Sequence, residues 1–371
     1  MNVRVFQVGN IYRAHLRQLL HRLDSHDSYS AIHAEILSEV AQAQILEPCL
    51  DGSEYGALCF PQYDRGLRQW AKQKGMRETA TEEDIVLAQI EDHRTEVFYS
   101  INSTRHSKEF LERMPGSVRL KVAWLGSNPV GSGLQLFDAI VSNFPTLNAR
   151  HAQLGYATFY QAPSFEPQID LLGALDSCRH IDLFFAGTFS RHHTARANLL
   201  TNLANLVVAK GYNARFHLLN SRYTTLAEHT PLGLIQPFRS VRRPRILRRL
   251  ARPPLFGRNM FRSLASAKFV INIAVDVADQ DRGNMRCFET LSAGSVMISD
   301  AGNYPKGFES GRTHLTYRDT EEALALIDNC LSAPEQHQHL GANGAEMLRQ
   351  RYSKSQQWAA FMTLCEQLIP A

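Results

Sequence analysis

The chain has 371 residues, with 44% hydrophobic and 20% charged residues, a formal net charge of +4 and six cysteines. This length fits two domains better than one core, and the small net charge gives no reason to expect nucleic acid as a partner. The cysteines are scattered without a Cys-x-x-Cys pair, which excludes a zinc-binding or disulfide framework and predicts reduced thiols. No apolar run reaches the length of a membrane span, and the N-terminus reads as a strand rather than a signal peptide, so we expect a cytoplasmic protein.

Strands and helices alternate along the first part of the chain. The segment Val3–Gly9 is an apolar strand that ends at a Gly-Asn turn, and a helical pattern follows it from Tyr12. A strand, a glycine turn and a helix are typical of the first unit of a Rossmann-like domain. Residues 47–80 mix turn signals with one short helix, and we interpret them as mostly irregular. Further strands are predicted at 95–101, 118–125, 137–141 and 157–160, with helices at 31–46, 82–91, 108–113 and 147–154.

A proline-containing connection at 161–167 separates the two parts of the chain, and the alternation then starts again. We therefore predict an N-terminal domain at residues 1–165 and a second domain at 166–350. Residues 351–371 are predicted to form a C-terminal helix that crosses back to the first domain. In the second domain strands are predicted at 181–187, 214–219, 269–275 and 296–299, with helices at 194–210, 256–267, 284–293, 320–331 and 334–351.

The most informative stretch is DRGNMRCFETLSAGSVMISD, residues 281–300. A buried strand precedes it, a polar turn leads into a helix from about Asn284, and Gly294 ends that helix before the next strand. Ligands of open α/β sheets bind outside the carboxyl ends of the strands, and a helix N-terminus there attracts anions such as phosphate. The pattern therefore predicts a phosphate-binding site at residues 284–289.

Five further residues are candidates for this site in addition to Asn284. Gly187, Thr188 and Arg191 follow the first strand of the second domain, where backbone and side chains could approach a phosphate; an ordinary tight turn is the alternative. Arg286 and Glu289 are three residues apart on one helical face. An exposed ion pair is the alternative there, but the apolar neighbours of these residues favour burial and hence a functional role.

Seven arginines lie between Arg239 and Arg252. A solvated helical face, a contact with anionic lipid or glycolipid phosphates, and a nucleic-acid patch are three possible explanations. The last is the weakest, because aromatic residues are not interleaved with the arginines.

The histidines give no metal site, because their spacing lacks the companions that metal ligands need. His106 follows a strand end and could act as a base or bind substrate, with an ordinary surface histidine as the favoured alternative.

The second half of the sequence resembles the group-one glycosyltransferases of the spore-maturation-protein type. Four segments carry the resemblance in order: DLFFAGTFSRH, PPLFGRNMFRSLASAKFVIN, GNMRCFETLSAGSVMISD and LGANGAEMLRQRYSKSQQWAAF. The first half is similar more loosely, through VRVFQVGN, EDIVLAQIEDHRTEVFYSIN and VRLKVAWLG. The resemblance implies an α/β protein of the GT-B fold, with two Rossmann-like domains facing across a cleft. The second domain would bind a nucleotide-sugar donor, which is a substrate, so that no cofactor and no metal is expected.

The resemblance also implies roles for single residues. Gly187 and Thr188 would lie in the donor-side loop, Arg286 would contact the diphosphate, and Glu289 would hold the ribose. Retaining relatives carry two glutamates separated by seven residues, and here Asp281 replaces the first of them. The shorter acid departs from that pattern, and Asp281 and His106 are the candidate catalytic residues.

The leading hypothesis is a metal-independent glycosyltransferase of polysaccharide biosynthesis. It would move a sugar from a nucleotide-sugar to a cell-surface polysaccharide, a glycolipid or a related acceptor, with retention preferred by analogy. Peripheral membrane contact could occur through Arg239–Arg252, and no nucleic acid is expected. The alternatives are a catalytically inactive nucleotide-binding or scaffold protein of the same fold, and a nucleotide-sugar epimerase, which would need an acid/base pair that the sequence does not reveal.

Overall fold

The computed structural model describes residues 3–126, 133–172, 179–189, 194–274 and 278–369. The chain divides into two compact units. The first comprises Met1–Phe165, Val277–Asp281 and Arg351–Ala371, and the second comprises Glu166–Asp276 and Arg282–Gln350. The second unit is therefore interrupted by a short segment that belongs to the first.

The first unit contains one fully parallel sheet of six strands, in the order β2-β1-β3-β4-β5-β6. The strands are β1 (Val5–Val8), β2 (Gly56–Cys59), β3 (Val97–Ser100), β4 (Leu120–Trp124), β5 (Ala139–Ser142) and β6 (Ala157–Tyr160). The helices are α1 (Arg13–Leu23), α2 (Tyr29–Glu39), α3 (Asp64–Gln73), α4 (Glu82–Asp92), α5 (Lys108–Glu112) and α6 (Pro145–Gln153).

Helices cover both faces of this sheet, as the side chains of β3 show. Successive residues of a strand point to opposite faces. Tyr99 packs against Phe361 with ring centroids 5.0 Å apart, whereas Phe98 packs against Phe110 on the other face at 5.9 Å. Burial on both faces explains why the central strands are largely apolar rather than alternating.

The second unit repeats the architecture with the strand order β12-β11-β10-β7-β8-β9. The strands are β7 (Ile181–Thr188), β8 (Ala214–Leu219), β9 (Ala251–Arg252), β10 (Ala267–Asn272), β11 (Val296–Asp300) and β12 (Leu315–Tyr317). The helices that follow α6 are α7 (Pro167–Leu171), α8 (Thr194–Lys210), α9 (Arg222–His229), α10 (Phe238–Val241), α11 (Arg245–Leu250), α12 (Gly257–Ala265), α13 (Met285–Ser292), α14 (Thr320–Ser332) and α15 (Gln338–Arg351). The strand order reverses between β7 and β10, and such a reversal opens a crevice at the carboxyl edge of the sheet.

The last helix, α16 (Lys354–Leu368), belongs to the first unit. It begins with a capping box, in which Ser353 and Gln356 bond each other's backbone N–H groups. Phe361, Leu364 and Cys365 are buried in the core beneath β1 and β3. Lys354 donates to the carbonyl of Ile45 at 2.6 Å and also to that of Gln42.

The prediction of an α/β fold with two Rossmann-like domains is confirmed. The interpretation of residues 47–80 as mostly irregular was wrong for Gly56–Cys59, which form the edge strand β2. The edge strands β9 and β12 were also not predicted, and neither were the short helices α9, α10 and α11 between β8 and β9. All three strands have two to four residues, too few to show a hydrophobic period.

Candidate functional site

The N-terminus of α13 lies at the carboxyl edge of the second sheet, separated from the end of β10 by twelve residues. Asn284 is its N-cap residue, and the side-chain oxygen accepts from the N–H of Cys287 at 3.3 Å. The Asn284 amide also donates to the side chain of Asn272 at 3.2 Å, and Asn272 donates to the hydroxyl of Ser299 at 3.1 Å. These bonds fix the helix start against the ends of β10 and β11, with its first N–H groups at the sheet edge.

Gly283 allows the chain to turn into this helix. Its φ is +107°, a backbone conformation that favours glycine, and a Cβ at this position would lie 2.6 Å from the ring of Pro305. At the other end Gly294 has φ +65°, and its N–H donates to the carbonyl of Leu291. The prediction that Gly294 ends the helix is therefore confirmed.

Arg286 and Glu289 form an ion pair on the first turns of α13, with Nη1 and Oε2 separated by 2.6 Å. Their side chains are 21% and 12% exposed, so both reach solvent but are mostly enclosed. The pair holds both side chains on one face of the helix. A basic donor and an acidic acceptor are thus presented side by side, next to a helix N-terminus.

Arg282 and Asp300 form a second ion pair at this edge, at 2.8 Å. The same carboxylate accepts from the N–H of Ala274 at 2.8 Å, and the N–H of Arg282 donates to the carbonyl of Asn303. Asp300 therefore connects the end of β11 with the chain beyond β10.

Cys287, on the first turn of α13, is fully buried. Burial raises the pKa of its thiol to about 12, so the thiol is neutral and not a nucleophile at neutral pH.

The switch point between β7 and β10 is occupied by a residue that the sequence analysis missed. Arg196, on the first turn of α8, donates to the carbonyls of Ile273 and Ala274 at 2.8 and 2.9 Å. Its other terminal nitrogen lies 3.4 Å from the hydroxyl of Thr188. The signal in the sequence was an arginine on an otherwise apolar helical face.

Gly187 and Thr188 are the last residues of β7, so they lie at the same sheet edge as the start of α13. A Cβ on Gly187 would approach the Phe185 ring to 3.1 Å, so packing accounts for part of the need for glycine there. Arg191 lies outside the described residues. The donor-binding roles of these residues stay predictions.

Asp281 belongs to the first unit, where its carboxylate accepts from the N–H of Thr146 at 2.6 Å. Thr146 is in the first turn of α6, and a carboxylate at that place caps the helix and complements its dipole. Asp279 forms an ion pair with Arg150 of the same helix. The catalytic role predicted for Asp281 stays a prediction, and its observed contact is structural.

His106 is half-buried, whereas the favoured sequence interpretation was an ordinary surface histidine. Its ring stacks on Phe110 at 4.9 Å and meets the edge of Phe98 at 5.3 Å, and Nε2 lies 2.8 Å from the hydroxyl of Ser100. Burial lowers the pKa of His106 to about 4, and the nearby Arg105 acts in the same direction. A base with this pKa is weak at neutral pH.

The cluster Arg239–Arg252 spans α10, α11 and β9. Arg243 is buried and bonds Glu228 through Nε and Nη2 at 2.7 and 2.5 Å, whereas Arg239, Arg245, Arg249 and Arg252 are exposed. Within the described ranges, no group of three or more potential metal ligands is present. No helix among the described residues is long and apolar enough to cross a bilayer.

Residues 196–363 match a protein family described as glycosyl transferase-like. This part of the chain is a glycosyl transferase-like domain. The matched range begins at Arg196 and includes Asn284, Arg286 and Glu289, while Gly187 and Thr188 precede it. The match supports the predicted glycosyltransferase family and does not distinguish the spore-maturation type. No curated protein sequence gives a significant match to the chain.

Solved structures share the architecture of this chain at low sequence identity. Anabaena Alr3699/HepE in complex with UDP and glucose has a TM-score of 0.55 and 11% identity, covering 99% of this chain and 100% of its own. Sucrose-phosphate synthase from Thermosynechococcus elongatus has a TM-score of 0.51 and 12% identity, covering 98% and 99%. A mutant of S. aureus TarM, in complex with fondaparinux, alpha-GlcNAc-glycerol and UDP, has a TM-score of 0.52 and 12% identity over 76% of this chain and 59% of its own. These similarities confirm the GT-B fold of two Rossmann-like domains.

Proposed function

We propose that this glycosyltransferase moves a sugar from a nucleotide-sugar donor to a cell-surface polysaccharide, a glycolipid or a related acceptor. The observation that carries the proposal is the Arg286–Glu289 pair beside the capped N-terminus of α13. A nucleoside diphosphate needs a cation and N–H donors for its phosphates and an acceptor for its ribose hydroxyls. This arrangement supplies all three on one helix. The similar HepE structure, with bound UDP, supports the same assignment.

In this proposal Arg286 binds the diphosphate and Glu289 accepts hydrogen bonds from the ribose. The ion pair between them pre-orders both side chains, which reduces the entropy that binding must overcome. On donor binding the guanidinium exchanges a carboxylate partner for a phosphate partner, and Glu289 turns its oxygens to the hydroxyls. Arg282 is kept by Asp300 and stays in its structural role.

We also propose that transfer proceeds without a metal ion and with retention of configuration. The departing diphosphate gains negative charge, and a fixed guanidinium with the N–H groups of a helix N-terminus can stabilise that charge directly. This stabilisation requires no reorganisation at the moment of reaction. The cytoplasmic location belongs to the same proposal, because the scattered cysteines are typical of proteins in a reducing compartment.

Separate Arg286→Ala and Glu289→Ala variants test the proposal. Each should weaken binding of the preferred nucleotide-sugar at least ten-fold, since a charge-assisted hydrogen bond contributes about 1.5–3 kcal/mol. Binding is measured by calorimetry after a thermal-shift screen of uridine, guanosine, adenosine and thymidine diphosphate sugars.

The chain offers a matched control. Arg312 and Glu309 also form an ion pair three residues apart, at 3.0 Å, but they are 72% and 54% exposed. Alanine at either position should leave donor affinity unchanged. If the two pairs respond alike, or if Arg286→Ala and Glu289→Ala bind the donor as well as the wild type, the assignment is wrong.

A second candidate function is nucleotide binding without transfer. It is favoured because both candidate catalytic residues have other properties than a catalytic group needs: the Asp281 carboxylate caps α6, and His106 is half-buried with a pKa lowered to about 4. Release of free nucleoside diphosphate from the bound donor, measured by chromatography with and without glycan acceptors, separates the two functions. Tight donor binding with no release would support the second candidate.

A further inference from the structure

Exposed apolar side chains are concentrated in one segment of the second unit. Of the eleven large hydrophobic side chains that are exposed among the described residues, six lie between positions 219 and 235. They are Leu219, Tyr223, Leu226, Leu232, Leu234 and Ile235. Leu234 is 68% exposed and Tyr223 is 66% exposed. Single exposed apolar residues are common on protein surfaces, whereas their concentration in one short segment favours an interaction site.

Three short helices that pack against one another carry most of this group. Helix α9, a 3-10 helix at Pro231–Leu234 and helix α10 contact one another. A Cβ on Gly233 would lie 1.8 Å from the carbonyl oxygen of Ala227, so the 3-10 helix approaches α9 as closely as glycine allows. The buried Glu228–Arg243 ion pair joins α9 to the chain before α11. The contacts among these helices therefore fix the segment in place, while the apolar side chains remain exposed to solvent.

The same segment carries uncompensated positive charge. Arg222, Arg239, Arg245, Arg249 and Arg252 are exposed. None of these five forms an ion pair in the part of the chain that the structure describes. Glu228 is the single acidic residue of the sequence between positions 219 and 252, and it is neutralised by Arg243. Exposed apolar side chains and exposed guanidinium groups therefore occur together without an acidic neighbour in the segment.

We propose that residues 219–252, the crossover patch, dock on the surface of an anionic lipid bilayer. Leucine and isoleucine side chains would enter the boundary between headgroups and acyl chains, and the arginines would bind lipid phosphates. The positive charge of the exposed arginines is complementary to the negative charge of the lipid headgroups, and this favours an anionic bilayer as the partner. Single-stranded nucleic acid is disfavoured because its bases stack on aromatic rings, whereas five of the six apolar side chains are aliphatic. The proposal assigns the membrane contact to an apolar surface flanked by arginines, rather than to arginines alone.

Vesicle sedimentation tests the crossover patch with the full-length protein. Vesicles of equal parts phosphatidylcholine and phosphatidylglycerol should bind the protein, and phosphatidylcholine vesicles should bind it far less. Arg245→Gln and Arg249→Gln should each lower partitioning roughly five-fold, the effect expected of one basic residue near an anionic surface. The Leu234→Ser/Ile235→Ser variant should lower it at least ten-fold, because both apolar side chains lose their burial in lipid.

Two control variants keep the test specific. Leu154→Ser removes an equally exposed leucine (72%) from the first unit, and Arg318→Gln removes a highly exposed arginine (side chain 82%) elsewhere in the second. Neither should change vesicle binding, and all variants should keep the wild-type melting temperature because the substituted side chains are exposed. Equal binding to both kinds of vesicle would overturn the proposal. So would unchanged binding of the Leu234→Ser/Ile235→Ser variant, or preference for an oligonucleotide or an acidic protein over anionic vesicles.

Discussion

Single residues at the carboxyl edge of the second sheet differ in how far they could be predicted. Asn284, Arg286 and Glu289 lie on one helix and its cap, and their spacings of two and three residues are visible in the sequence. Arg196 was missed because its partners, Ile273 and Ala274, follow 77 and 78 residues later. Helical periodicity shows which face a residue occupies, but not which distant carbonyls it meets.

Replacement of Arg196 by alanine should destabilise the second unit. The carbonyls of Ile273 and Ala274 would lose a charged donor, which costs about 2–3 kcal/mol. Arg196→Lys should recover part of the loss, since an ammonium reaches one carbonyl but lacks the planar fork. Urea unfolding measures both variants. A loss for alanine no greater than that of a surface substitution would contradict the structural role of this guanidinium.

His106 should make stability depend on pH below 6.5. Burial lowers its pKa from 6.5 to about 4, so between these pH values the unfolded chain binds a proton at this residue and the folded chain does not. The contribution of His106 is fully present above pH 6.5 and is lost as the pH falls towards 4. The free energy of unfolding should therefore decrease as the pH falls from 6.5 to 4. His15 and His314, whose pKa values burial also lowers to about 4, act in the same direction.

A His106→Leu variant isolates that contribution. Its free energy of unfolding should fall less between pH 6.5 and pH 4 than that of the wild type, measured by denaturant titration at each pH. The variant loses the contact with Ser100, so the comparison concerns the slope rather than the absolute stability. An identical slope would show that His106 is not protonated preferentially in the unfolded state.

Among the elements, the central strands and long helices could be predicted because hydrophobic runs and periods persist over many residues. The edge strands could not. Gly56–Cys59 contains a glycine that packs against the backbone of Pro48, where a Cβ would lie 2.1 Å from the carbonyl. Tertiary contact, rather than local preference, makes this segment a strand. The short helices of the β8–β9 connection likewise depend on one another.

The start of α13 should be sensitive to its cap. Asn284→Ala removes the cap and the bond to Asn272, and should cost about 1–2 kcal/mol of stability. Donor affinity should fall as well, because the first helical turn carries Arg286. Asn284→Asp keeps an oxygen for the N–H of Cys287 and places a negative charge near the phosphates. It loses the donor to Asn272 but keeps the cap, so it should cost less stability than Asn284→Ala while weakening donor binding at least as much, as measured by thermal unfolding and calorimetry.

That pair of variants separates the two roles of the element. If both variants lose affinity in proportion to stability, the cap acts only on folding. If Asn284→Asp binds the donor as tightly as the wild type, the phosphates do not lie at this helix N-terminus.

At the scale of the molecule, α16 makes the first core depend on the end of the described chain. Phe361 is fully buried against Tyr99, and Phe361→Ala should cost about 3–5 kcal/mol. Hydrogen exchange should show faster exchange of β1 and β3 amides, with protection of β7 and β10 retained. Gln367 is an exposed residue of the same helix and provides a matched control as Gln367→Ala. Uniform loss of protection in both units would mean that they unfold as one.

The path of the chain between its two units has a practical consequence for protein engineering. The first unit takes residues from three separate stretches, and the second from two, so the polypeptide passes from one unit to the other four times. A hybrid enzyme that exchanges one whole domain would need four junctions instead of one. A fragment ended after Phe165 would lack both the segment that caps α6 and the helix that fills the first core. Recombination within this protein is therefore better directed at single loops of the sheet edges than at whole domains.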